Sequence, residues 1–205
     1  MIQIDRNRIY ESHGYRFKNF VCLNEEEKKM ILAWRNHEKV RSVMVNKDII
    51  SYEDHLKFID SLKNREDCCY WLVIDPVGAN VGVLDVVHID RDKDVGEIGF
   101  YLNQEELGKG FQFMIETEYF VYAQLKLKYN MITIDVENRE MLLYNKFLNS
   151  TFEGIKEIGG KKFYYNDHAT GDIFLNCYEE LTLLNYARFV KKHGKDDIVF
   201  NIINN

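Results

Sequence analysis

The sequence predicts one mixed α/β domain of the α+β kind, with a central, mostly antiparallel sheet flanked by helices. Three observations carry this. Two capped, helix-patterned stretches follow the first strand-like run; three apolar runs joined by short turns then read as an antiparallel meander; and a glycine-marked junction, "EIGFYLNQEELGKGFQFMIETE", leads from the last of them into a helix pattern. At 205 residues and 46% hydrophobic, the chain can bury a continuous core. No repeat, low-complexity segment or linker rich in Pro, Gly or Ser divides it. The expected domain spans 1–205, with a core of about 15–180 and a helical extension of about 180–205.

"YRFKNFVCL" (15–23) alternates as a strand does, and Asn24 then stands as an N-cap before "EEEKKMILAWRNHE", whose acidic first turn suits a helix N-terminus. "SYEDHLKFIDSLKN" opens on Ser51 and Asp54 in a capping pattern, with Leu56, Ile59 and Leu62 at helical spacing. "CYWLVID" (69–75), "VGVLDVVHID" (81–90) and "VGEIGFYL" (95–102) form the meander. A helix to about Lys126 follows the glycines, then a strand "MITIDVE" (131–137) and a short helix "REMLLYNKFLN". "FEGIKEI", "KKFYY" and "DIFLNCY" read as strands and "EELTLLNYARFVKKHG" as a closing helix, while "KDDIVFNIINN" matches no pattern.

Composition excludes several functions. A net charge of six negative disfavours nucleic acid but leaves room for a small anion held by local donors. The charged opening "MIQIDRNRIY" and the acids that interrupt the greasy stretches predict neither a secretion signal nor a membrane span, so the cytoplasm is the expected setting. Cys22, Cys68, Cys69 and Cys177 show no metal-ligand or disulfide-dense spacing, and the six histidines never pair at zinc-like intervals. Asp90, Asp92 and Asp94 alternate like a calcium loop, but Val95 and Tyr101 stand where Gly and Glu are needed, so no metal is implied.

Gly108 and Gly110 admit two explanations. Without Cβ atoms, successive N–H groups at a helix N-terminus can wrap a phosphate, or the pair simply makes a tight strand-to-helix turn. Nucleotide P-loop and dinucleotide patterns both fail, because no Ser or Thr follows a glycine-lysine pair and Phe113 occupies the third glycine position. What remains is Glu105-x-x-Gly108-Lys109-Gly110 between a strand and a helix. This resembles the [QR]xxGx[GA] signature of the GNAT superfamily of acetyl-CoA-dependent N-acetyltransferases, with Glu105 in place of the usual Gln or Arg. "WRNHEKVRSVM", "ISYEDHLKFIDSL" and "VENREMLLYNKF" are further similar to motifs of the UDP-4-amino-4,6-dideoxy-N-acetyl-β-L-altrosamine N-acetyltransferases of pseudaminic acid biosynthesis, over most of residues 17–155.

The resemblance implies a GNAT fold splayed around acetyl-CoA as cosubstrate and a UDP-linked amino sugar as acceptor, with a homodimer left open. Backbone N–H groups of Gly108, Lys109, Gly110 and Phe111 would hold the CoA pyrophosphate, and the strand around Gly99, Phe100 and Tyr101 would offer an N–H to the thioester carbonyl. Tyr144 takes the place of the family's acid for the departing thiolate; on residues alone, a Tyr on an amphipathic helix is usually core. Glu97, Glu137 and His55 are candidate bases, with an exposed strand carboxylate the plainer account of each Glu. Asn138 contacts the CoA arm or caps the helix after it. Arg35 and His55 would contact the sugar nucleotide, and Met44 and Phe58 would wall it, against ordinary core packing and a helix C-terminal charge. No cysteine carries a nucleophile motif, so direct attack is expected. The rivals are a GNAT acting on a protein N-terminus or another amine, and a non-catalytic acyl-CoA-binding module.

Overall fold

The structure is a computed structural model that describes residues 2–42, 44, 46–103 and 109–203. It resolves into two compact units: an N-terminal unit of Ile4–Ile89 with Gly99–Thr117, and a C-terminal unit of Met1–Gln3, Asp90–Ile98 and Glu118–Asn205.

In the N-terminal unit, β1 (Ile9–Ser12), β2 (Tyr15–Asn19), β3 (Cys69–Ile74) and β4 (Asn80–Asp90) follow one another in the sheet, the β1–β2, β2–β3 and β3–β4 ladders all being antiparallel. The strand expected over 15–23 stops at Asn19. Its side chain accepts from the Val21 N–H at 3.1 Å and turns Phe20–Cys22 into a single 3-10 turn. β1 was not apparent in the charged N-terminal residues; it exists because β2 pairs with it, and Tyr10 and Ser12 are buried by that pairing.

Helix α1 (Glu25–Asn36) begins at Asn24 in a reciprocal capping box, the Asn24 side chain accepting from the Glu27 N–H while the Glu27 carboxylate accepts from the Asn24 N–H. Asn24→Ala should therefore lower stability by about 1 kcal/mol, read as a lower melting temperature. A four-residue helix, α2 (Glu38–Arg41), precedes α3 (Tyr52–Ser61), which Ser51 caps through the Asp54 N–H. Ile31 of α1 and Ile59 of α3 pack with Leu72 of β3 and Val83 of β4 in one core, so both helices cover the same face of the sheet.

β5 (Val95–Leu102) and α4 (Gly110–Tyr119) contribute residues to both units. In the C-terminal unit β5 pairs in parallel with β6 (Tyr129–Asp135), β6 pairs antiparallel with β8 (Lys161–Thr170), and β8 with β7 (Gly154–Ile158). The sheet is thus mixed, with a single parallel ladder among those described. Gly159 and Gly160, both at positive φ, close the β7–β8 hairpin in the two-residue turn whose twist suits antiparallel strands. α4 runs on into a wider π turn over Phe120–Gln124, and α5 (Arg139–Phe147) follows β6.

"DIFLNCY" is a helix, α6 (Gly171–Cys177), and corrects the strand expectation. Period two would bury Ile173, Leu175 and Cys177, but Ile173 is exposed while Gly171 and Phe174, three apart, are buried, and Thr170 caps the first turn. α7 (Leu183–His193) closes the chain's regular structure. The unpatterned tail is nonetheless anchored: Phe200 is buried against Phe152, and the Ile203 N–H donates to the Phe152 carbonyl at 2.8 Å. Among the described residues no helix is long and apolar enough to cross a membrane, and no cluster of three metal-ligating side chains occurs.

Candidate functional site

The "WRNH" stretch lies at the end of α1, and each residue has a separate task. Trp34 packs on the core of the N-terminal unit. Asn36 makes a reciprocal pair of bonds with Ile50, its amide donating to the carbonyl at 2.8 Å and its carbonyl accepting from the N–H at 2.9 Å. His37 caps α2 by accepting from the Lys39 N–H. Arg35 donates through Nη2 to the Asn46 carbonyl at 2.8 Å, while its buried Nη1 has no hydrogen-bond partner among the described residues. A buried guanidinium donor left unpaired is costly.

Met44 is half-buried next to this segment, its N–H donating to the Arg41 carbonyl at 3.2 Å. His55 is 5% exposed and its Nε2 donates to the Lys28 carbonyl at 3.1 Å, so the ring ties α3 to α1. Burial depresses its pKa below the ordinary imidazole value and keeps it neutral. Phe58, half-buried, meets the Tyr70 ring edge-on at 5.1 Å.

Tyr70 and Asp85 are direct cross-strand partners on β3 and β4, so their side chains share a face. A Cβ on Gly99 would come within 2.6 Å of the Asp85 carboxylate: the absence of a side chain at 99 is what lets that carboxylate lie against β5. Burial first, and then the Asp85 charge, push the phenols of Tyr70 and Tyr101 well above the ordinary value, while the Arg35 charge works the other way on Tyr101. Arg35, Phe58, Gly99 and Tyr101 therefore share a neighbourhood with two residues that sequence reasoning passed over, Tyr70 and Asp85. The available signal was one acid inside the apolar strand run "VGVLDVV".

Gly108 and Glu105 lie outside the described residues. Lys109 precedes α4, its carbonyl accepting the first helical bond from the Phe113 N–H at 3.0 Å. Its ammonium pairs with Asp75 at 3.1 Å. Burial raises the Asp75 carboxyl, but the Ala79 N–H and the Lys109 charge outweigh this and hold it below the usual range. Phe111 is buried, and Phe100 meets Phe113 edge-on at 6.0 Å. Gly110 has no positive φ, and among the described residues the nearest atom to an added Cβ is Leu102 Cδ1 at an ordinary 3.5 Å.

In the C-terminal unit the parallel ladder comprises only Val95↔Tyr129 and Gly96↔Asn130. The next β5 donor, the Ile98 N–H, is taken by the side-chain carbonyl of buried Asn130 at 3.1 Å, so a side chain ends the ladder in place of backbone. Glu97 sits half-buried at this parting. Beyond β6, Glu137 is exposed, and Asn138 caps α5 by accepting from the Met141 N–H at 3.3 Å.

Tyr144 is 1% exposed and donates to the Glu118 carboxylate at 3.0 Å. Burial pushes the Glu118 carboxyl up to about 7, against the opposing hydrogen bond; burial and then the Glu118 charge raise the Tyr144 phenol well above its ordinary value. Glu118 is a second residue missed from sequence, hidden among the aromatics of "ETEYFVY".

No family model matches the chain. Acetyltransferase PseH of Campylobacter jejuni subsp. jejuni serotype O:2 is 34% identical over 112 residues, which span 55% of this chain and 69% of that protein. PseH of serotype O:23/36 is 31% identical over 127 residues, spanning 62% and 78% respectively. Among solved structures, Campylobacter jejuni N-acetyltransferase PseH in complex with acetyl coenzyme A superposes with a TM-score of 0.57 at 24% identity, over 75% of this chain and all but 2% of that one, its coverage being 98%. A spermidine N-acetyltransferase from Vibrio cholerae, in complex with CoA and spermine, reaches 0.66 at 16% identity over 80% of this chain and 100% of that one, which speaks to the fold alone. A GCN5-related N-acetyltransferase from Brucella melitensis gives 0.65 at 16% identity over 92% of this chain and 96% of that one. With its mixed sheet, its early-ending β5–β6 ladder and these likenesses, the chain belongs to the PseH family of GNAT acetyltransferases.

Proposed function

We propose that the protein transfers acetyl from acetyl-CoA to the 4-amino group of a UDP-linked 4-amino-4,6-dideoxy sugar, by direct attack of the amine, in the cytoplasm where both substrates arise. The observation that supports this is Gly110: among the described residues neither backbone strain nor crowding calls for a glycine there. A ligand approaching the first turn of α4 supplies the missing reason, and the N–H groups and dipole of a helix N-terminus suit a pyrophosphate. In this reading the N–H groups of Lys109, Gly110 and Phe111 serve as the cradle, with the Lys109 ammonium adding positive charge from its place on Asp75.

On the acceptor side, Arg35 Nη1 is the open donor for a diphosphate, and Met44, Phe58 and the α3 segment fixed by His55 supply apolar walls. The backbone around Gly99, Phe100 and Tyr101 polarises the thioester carbonyl. Of the two strand acids, half-buried Glu97 at the ladder's end takes the amine proton, and exposed Glu137 with its neighbour Asn138 borders the CoA arm. Tyr144 protonates the departing sulfur.

Thiol release from acetyl-CoA, measured with the UDP-amino sugar, peptides and polyamines offered in parallel, tests the acceptor: turnover on peptides alone would overturn the sugar reading. Gly110→Ala tests the cradle. We expect the KM for acetyl-CoA to rise about tenfold, the worth of one charge-assisted hydrogen bond, with the melting temperature unchanged or slightly raised. An unaltered KM would return Gly110 to a simple turn.

A further inference from the structure

We propose that Glu118 is a positioning residue that orients the Tyr144 hydroxyl and restores its proton after each turnover; this rests on the reading of Tyr144 as the acid for the leaving thiolate. The geometry is specific. Glu118 comes from the last turn of α4, immediately ahead of the π turn at Phe120–Gln124, and Tyr144 from the middle of α5. Their 3.0 Å bond is the one hydrogen bond to the Glu118 side chain among the described residues, and no cation is paired with it there.

That pairing is a poor choice if structure is all it serves. A carboxylate set against a tyrosine in an aromatic surrounding carries a desolvation cost without a counter-charge, whereas Gln would accept the same hydrogen bond without a charge to desolvate. What the carboxyl adds is a transferable proton. The other titratable groups facing Glu118 are Tyr122 on its own helix run, Tyr144 on α5 and Cys177 on α6, while Tyr186 of α7 faces the Tyr144 ring at 6.5 Å. Burial holds Tyr122 and Cys177 above their ordinary values, so both keep their protons, and Glu118 is the group in this set that changes charge near neutrality.

The step balances as follows. The carbon–sulfur bond of the tetrahedral adduct breaks, the sulfur takes the Tyr144 hydroxyl proton, and the phenolate oxygen takes the carboxyl proton of Glu118. Glu118 is left as a carboxylate and regains a proton from solvent before the next turnover. When Glu118 is ionised before the step, it holds the Tyr144 proton instead of supplying one. Turnover should therefore fall as pH rises through the value near 7 at which Glu118 ionises.

The test compares kcat against pH for the parent, Glu118→Gln, Glu118→Asp and Tyr144→Phe, with melting temperatures taken alongside. Glu118→Gln is expected to lower kcat about tenfold, to leave the KM for acetyl-CoA within about twofold, and to abolish the limb near neutrality. Glu118→Asp, with a shorter carboxylic acid, should retain the limb at a reduced rate, and keeps the proposal falsifiable if the Gln variant folds poorly. Parent kcat and an unchanged profile in Glu118→Gln, or loss of the limb in Glu118→Asp with full stability, would overturn it. If Tyr144→Phe loses turnover while Glu118→Gln does not, only the role of Glu118 fails; if Tyr144→Phe is also fully active, the underlying reading of Tyr144 has failed.

Discussion

Tyr144→Phe should lower kcat by about 100-fold or more while the KM for acetyl-CoA moves less than about twofold, because the hydroxyl is needed when the thiolate departs and not when the cosubstrate binds. The substitution removes one oxygen from a ring that is 1% exposed, so the packing is kept and the loss is chemical. It also takes away the sole hydrogen bond to Glu118 among the described residues. That bond opposes the upward push of burial on Glu118, so the carboxyl should hold its proton to higher pH still in the variant. Stability should fall by about 1–3 kcal/mol, the usual cost of stranding a buried partner. Steady-state kinetics and a thermal melt read both effects, and an unchanged kcat would remove Tyr144 from the chemistry.

Phe152→Ala should be the more damaging change to the fold. Phe152 is fully buried, its ring centroid lies 4.5 Å from that of Phe200 and 5.3 Å from that of Tyr164, and with Ile134, Leu142 and Phe200 it forms one core cluster of the C-terminal unit, against which Tyr164 packs. Truncation leaves a ring-sized cavity between β6, α5 and the tail, at a cost of about 3–5 kcal/mol. The tail is bound through the same residue, by the Phe152–Ile202 bridge and the Ile203 N–H, so its protection should be lost early in a denaturant series. A midpoint within error of the parent would show that the tail contributes little to this core.

The parts of this fold that read correctly from sequence are those where local chemistry decides. Asn24 with Glu27, and Ser51 with Asp54, announce α1 and α3 because a side-chain oxygen must answer the free N–H groups of a first turn. β1 and α6 were hidden for the opposite reason. Ile9–Ser12 becomes a strand only by pairing with β2, and Gly171–Cys177 becomes a helix by burying Gly171 and Phe174, neither of which local alternation reports. The same division runs through the site. Lys109 and Gly110 stand out in sequence because glycines before a helix are rare enough to need a cause. Asp85 and Glu118 look like any acid in a strand or helix until folding places them against Gly99 and Tyr144. "WRNH" was legible as a motif but not as a division of labour: Asn36, which no chemical role had singled out, does the most holding.

The pair of bonds between Asn36 and Ile50 has a kinetic corollary. The stretch from Asn46 to Ile50 belongs to no helix or strand, and among the described residues its hydrogen bonds to α1 are those two and the one from Arg35 to the Asn46 carbonyl. Releasing it forfeits these bonds and the one from Arg41 Nη1 of α2 to the Lys47 carbonyl at 2.8 Å, at roughly 1 kcal/mol each, about 2–6 kcal/mol in all, which is less than unfolding the unit costs. Its amides should therefore exchange with solvent sooner than those of the β3–β4 ladder.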